Sequence, residues 1–282
     1  MRAPHSRNGL LKSAVALMSC SGAVLLAACT HSGSGTSSAT GDAVTPRRGA
    51  VVAVIYSAPP ALYRDEKGHL SGFMYDIEVE LSRHLGIPFD FQATSFENII
   101  TGVQSGKFDV GNGVDATLAR QNIVDIVPLY RGSYSFLTLK DGGQHLGSDM
   151  SALCGLTLAS VAGGSDGATI DAQSRQCQDA GKPPAQLLRF DSTVNALLAL
   201  KSHKADAMTA FAWYEPLPGT QLTGPTFSEV QTGVAVKKGS PLAAQLVAGL
   251  NSMIADGSYA RILAHYNVPT VALLRASLNP AR

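Results

Sequence analysis

The sequence has little charge, few aromatic residues and few cysteines. Only 15% of its 282 residues are Asp, Glu, Lys or Arg, 6% are aromatic with a single Trp, and there are four Cys. The thin charge is nearly balanced, with 22 basic against 21 acidic residues. The first 28 residues hold Arg2, Arg7 and Lys12 and no acid, so 29–282 carry 19 basic against 21 acidic residues. Such a surface offers no electrostatic footprint for nucleic acid or an anionic membrane. Long apolar runs are also missing. The stretch 13–28 is too short and too interrupted to be a comfortable membrane span. The seven His are scattered and none lies at ligand spacing to a Cys, which argues against a metal site. What is present is 45% hydrophobic residues in a chain longer than one lobe usually needs.

The N-terminus begins basic and turns into an Ala-, Leu- and Val-rich stretch, which reads as a secretory signal. It ends in Leu26-Ala27-Ala28-Cys29, which resembles a bacterial lipobox. The resemblance implies that 1–28 is removed and that Cys29 is lipidated. The alternative is a signal that merely contains a Cys before its cleavage site, and Cys20 is a rival position. With Cys20 and Cys29 set aside, Cys154 and Cys177 remain. Export places them in an oxidising compartment, where a disulfide is expected and two separate thiols are the alternative.

Residues 29–48 are mostly Ser, Gly, Thr and Ala, the composition of a flexible tether. Strand-like runs then alternate with helical patterns, which predicts α/β lobes of parallel strands covered by helices. Strands are expected at 49–55 and 88–93, with a third opening at 108–110. Phe73, Ile77, Leu81 and Leu85 mark one buried helical stripe. Ser95 is a candidate cap for a helix burying Ile99, Ile100 and Val103. A second series follows: strand 156–161, helix 167–180, strand 187–190, a helix capped by Asp191 or Ser192, and strand 205–209. The polar stretch 141–149, between the two series, reads as a connecting loop, and two lobes are the natural reading.

Several segments, in order, resemble the amino-acid-type periplasmic solute-binding proteins, the family 3 extracellular solute-binding proteins. They are Gly72-Phe73-Met74-Tyr75-Asp76-Ile77, Ser95-Phe96-Glu97-Asn98-Ile99-Ile100, Thr117-Leu118-Ala119-Arg120, Leu153-Cys154-Gly155, the helix-strand unit 196–207, and Asp256-Gly257-Ser258-Tyr259. The resemblance covers about 50–268. It implies a two-lobed Venus-flytrap fold with a two-strand hinge. Lobe one would be discontinuous, 49–133 and 230–270, lobe two 134–229, and 271–282 a C-terminal tail. It also implies an extracytoplasmic, membrane-anchored, monomeric binding protein that serves the permease and ATPase of an importer. Neither cofactor nor catalysis is expected.

The same resemblance assigns the ligand site. Arg120 would take a carboxylate bidentately, the match that a planar guanidinium offers, aided by Thr117. Gly164 and Ser165 would add backbone N–H groups at a helix start. Tyr56, Ser57, Phe96, Gly113, Asp115 and Phe211 complete the expected lining. Two positions depart from the pattern. Phe211 stands where an acid commonly holds the ligand ammonium, and Asp115 where Ser or Thr is usual, so the ammonium is expected on Asp115. Ile55 in the first loop argues for a neutral side chain. A rival account pairs Asp115 internally with Arg120. Gly163-Gly164-Ser165-Asp166-Gly167 also satisfies the G-x-S-x-G pattern of a hydrolase elbow, with Asp206 and His265 as conceivable partners. A dehydratase-like enzyme on the same fold is a further alternative.

Overall fold

The computed structural model describes residues 49–57 and 59–281, and the signal, Cys29 and the tether lie outside them. The chain enters as β1 (Ala50–Val54), followed by a hairpin of β2 (Tyr63–Arg64) and β3 (Leu70–Ser71). In α1 (Phe73–Leu85), Phe73, Ile77 and Leu81 are fully buried, since residues four apart share one helix face. β4 (Phe89–Ala93) and α2 (Glu97–Ser105) follow. Ser95 does not cap α2. Phe96 already has helical dihedrals, so the helix starts away from Ser95, whose hydroxyl accepts from the Asn98 side-chain amide instead.

β5 (Val110–Asp115) starts later and runs further than the residue types suggest. Gly111, Asn112 and Gly113 have little strand propensity, but pairing with β1 on one side and β10 on the other holds them extended. A short α3 (Leu118–Gln121) leads into β6 (Val124–Leu139), 16 residues long. The second series is β7 (Thr157–Val161), α4 (Asp166–Asp179), β8 (Gln186–Phe190), α5 (Thr193–Lys201) and β9 (Ala207–Phe211). The 18-residue β10 (Thr220–Lys237) returns, and α6 (Pro241–Ala255) and α7 (Ser258–His265) follow it.

The strand order β4-β1-β5-β10-β6-β9-β7-β8 explains the two lobes. Each flank is a parallel βα series, and β6 and β10 run antiparallel through both. Their register shifts between Thr223 and Phe227, between Phe227 and Val230, and again at Thr232. Such irregularities bend a paired ribbon, and these fall where it passes from one lobe to the other. The stretch 141–149 is a loop between the two series, as expected, and it lies within lobe two. β6 has already crossed into the second lobe before it ends at Leu139, where it pairs with β9 and β10.

Lobe one buries Phe73, Ile77, Leu246, Leu250 and Tyr259 on one sheet face, and Ile99, Val103, Val114 and Ile126 on the other. Lobe two packs Leu137, Ala196, Leu200 and Met208 on one face and Leu158, Ile170 and Phe136 on the other. A Cys154–Cys177 disulfide ties the start of lobe two to the end of α4, with Cα atoms 5.6 Å apart. The C-terminal segment packs down: Val271, Leu273 and Ala276 are buried, and Asn279 bonds both polar backbone groups of Ile126.

Candidate functional site

Both βα series send a loop to the same gap. In the first, β5 ends at Asp115, and Thr117 Oγ1 caps α3 by accepting from the Arg120 amide at 3.3 Å. This short helix turns Arg120 back over the strand end. Its guanidinium donates to the Asp115 carbonyl at 3.2 Å, lies 5.3 Å from the Phe96 ring centroid, and stands 3.7 Å from Asp115 Oδ2. It then crosses the gap to donate to the Gly163 carbonyl at 2.8 Å. In the second series, Gly163 takes a left-handed φ of 80° in the turn from β7 to α4. Ser165 Oγ donates back across the gap to Asp115 Oδ2.

Asp115 is 3% exposed and collects a full set of donors. Thr232 Oγ1 reaches Oδ1 at 2.6 Å, and Tyr134 Oη reaches Oδ2 at 2.7 Å alongside Ser165. Burial, reinforced by Asp115 and Asp166, pushes the Tyr134 phenol well above its ordinary range, so it keeps its proton and donates. Asp166, at the start of α4, is 4% exposed and accepts from Ser160 Oγ at 2.6 Å. A Cβ at position 164 would sit 2.2 Å from Asp166 Oδ1, so Gly164 makes room for that oxygen.

Between the lobes lies a cavity of about 110 Å³. Of the expected residues, Ser57, Phe96, Gly113, Asp115, Gly164 and Phe211 line it, and Arg120 and Ser165 border it through Asp115. Tyr56 and Thr117 do not line it. The Tyr56 hydroxyl accepts from Arg64 at 2.6 Å, and Thr117 faces a larger groove, about 700 Å³, beside the crossing strands. That groove is bigger, but the smaller cavity is the candidate site because both lobes and two buried carboxylates build it. Phe211 stacks on Tyr134 at 4.5 Å and on Trp213 at 5.0 Å, so its faces meet rings rather than a ligand cation.

Sequence reasoning missed Tyr134 and Asp166 as cavity residues. A Tyr inside a long strand reads as core, and Asp166 passed as the variable residue of a Gly-rich turn. The available signal was an acid at the first helical position with glycines on either side. The conceivable hydrolase triad is not assembled. The Ser165 hydroxyl is spent on Asp115. Asp206 bonds Thr157 at the far end of β7, about 13 Å of strand away. His265 belongs to α7 and packs edge-on against Tyr266.

Two lobes strung on a pair of crossing strands, with a cavity between them, define a cleft-type binding protein. The chain belongs to the bacterial extracellular solute-binding proteins, family 3, whose model matches residues 50–269. Arginine-binding protein ArgT of Corynebacterium glutamicum is 27% identical over 232 residues, covering 78% of this chain and 75% of the relative. The ABC transporter glutamine-binding protein GlnH of Bacillus subtilis is 27% identical over 216 residues, covering 71% and 74%. An ancestral arginine-binding protein, solved bound to glutamine and to arginine, is 27% identical with a TM-score of 0.68, covering 78% of this chain and 98% of that one. Among the described residues no helix is long and apolar enough to cross a membrane.

Proposed function

We propose that this protein is the substrate-binding lipoprotein of an ABC-type importer and captures an amino acid or an amino-acid-like small molecule between its lobes. In this reading 49–133 and 230–270 form lobe one and 134–229 lobe two. Cys29 carries the lipid, and a monomer delivers its ligand to a membrane permease powered by an ATPase. The relatives that bind amino acids support the ligand class.

The observation that carries the reading is the placement of Arg120. Its side chain is 11% exposed, held over Phe96 at the rim and aimed from lobe one at the loop of lobe two. Two of its five N–H donors are engaged, with the carbonyls of Asp115 and Gly163. The others can take a ligand carboxylate in the bidentate geometry a guanidinium favours. Closure of the lobes would then bury that pair. Thermal-shift measurement against the amino acids is the test, since a ligand at 100-fold its Kd adds about 2.7 kcal/mol of stability. No shift with any amino acid would overturn the reading.

A further inference from the structure

We propose that the cavity takes a ligand of net positive charge, whose cationic nitrogen is held by Asp166 of the second lobe. This rests on reading the interlobe cavity as the ligand site. Two carboxylates line it, Asp115 and Asp166, and one guanidinium, Arg120, borders it. Asp115 is already served: Arg120 stands 3.7 Å away, and Thr232, Tyr134 and Ser165 all donate to it. This is the internal pairing that competes with an ammonium for that carboxylate.

Asp166 is differently placed. It is 4% exposed, and among the described residues it has no ion-pair partner; Ser160 donates to it at 2.6 Å, and the Thr209 hydroxyl also supports it. A buried carboxylate without a counter-ion is strongly disfavoured, and it is stabilised by whatever brings a cation to it. Burial, with Asp115 close by, pushes its carboxyl up, as expected for an acid whose charge the protein leaves unmatched. A side chain at position 164 would strike Asp166 Oδ1, so that oxygen packs against the Gly164 backbone, and both residues line the cavity. With Asp166 ionised, the three charges sum to −1, which a ligand of net charge +1 neutralises. Ile55 lines the cavity without an acid, and Asp166 supplies the missing charge from the other lobe. A neutral ligand side chain therefore no longer follows from Ile55.

The cationic nitrogen could be an α-ammonium or a side-chain group, and three probes separate the two. Calorimetric titration uses L-arginine, L-citrulline, which lacks the side-chain charge, and 5-guanidinopentanoate, which lacks the α-ammonium. Wild-type protein is expected to bind arginine at least about tenfold more tightly than one of the two analogues. The analogue that fails identifies the nitrogen held. Asp166→Asn, checked for an intact fold by its melting curve, is expected to erase that gap. Equal wild-type affinity for all three, or a gap that persists in folded Asp166→Asn, overturns the inference. If arginine fails to bind while glutamine or phenylalanine binds, the inference falls and the amino-acid reading stands. If no amino acid binds, both fall.

Discussion

The two loops that meet at the cavity treat their carboxylates in opposite ways. Lobe one offers Asp115 with its counter-ion built in, five residues along the chain, and with three hydroxyl donors around it. Lobe two offers Asp166 with hydroxyl support from Ser160 and Thr209 and, among the described residues, no cation. Both are buried, yet one is finished by the protein and the other is left to be finished. A completed network serves architecture, whereas an uncompleted charge at a cavity wall serves recognition. Glu78 sharpens the contrast. It is fully buried under lobe one without a cation, but it faces the Asn112 amide rather than the cavity. Burial pushes its carboxyl up to about 8.

The strongest way to break this contrast is to remove the finished member. Asp115→Ala would leave Arg120 and three hydroxyls without their shared acceptor, and stability should fall by about 3–5 kcal/mol, the usual result of deleting one side of a buried pair. Chemical denaturation measures it. A loss below about 1 kcal/mol would mean that the network does not carry the architecture.

Removing the other half of the pair tests recognition. Arg120→Ala is expected to weaken ligand binding by about 2–5 kcal/mol, read by calorimetry with whichever amino acid the thermal-shift screen selects. Arg120→Lys should restore only part of it, because a point charge cannot reproduce the fork. Unchanged affinity in a folded Ala variant would remove Arg120 from the ligand site.

The second lobe has its own brace. Replacing both Cys154 and Cys177 with Ser should cost on the order of 3 kcal/mol, the loop-closure value for two cysteines 23 positions apart. Thermal melts with and without reductant give the same comparison in the native chain, and coincident curves would count against a closed disulfide.

At low pH the smallest effect is expected at Glu78. Its folded-state pKa lies above the ordinary 4.5, at about 8, so the fold favours the protonated form. That contribution is fully present below pH 4.5 and is lost as pH rises through about 8. Glu78→Gln keeps a neutral partner for Asn112, so it should change stability by within about 1 kcal/mol at low pH and flatten the slope between those limits. A slope that survives the substitution must come from another group.

Much of the scaffold was legible because its signals are local. The spacing of Phe73, Ile77 and Leu81 marks the buried face of α1, and Ser192 caps α5 as its position suggested, accepting from the Asn195 amide. Other features are not written in the residues. The extent of β5 depends on pairing, because Gly111, Asn112 and Gly113 carry no strand preference of their own and are held by neighbours on both sides. Ser95 looked like a cap, but one extra helical residue at Phe96 moved the amides out of its reach.

By itself the sequence determined the alternation of strands and helices, the α/β class and the family, and it pointed to several of the residues that line the interlobe cavity. These depend on periodicities and motifs a few residues wide. Only the tertiary structure decided which of those residues are already satisfied. Asp115 takes hydrogen bonds from residues 19, 50 and 117 positions away, and whether a buried charge is matched depends on such distant donors. That accounting separates Asp115 from Asp166, and no local pattern in the chain contains it.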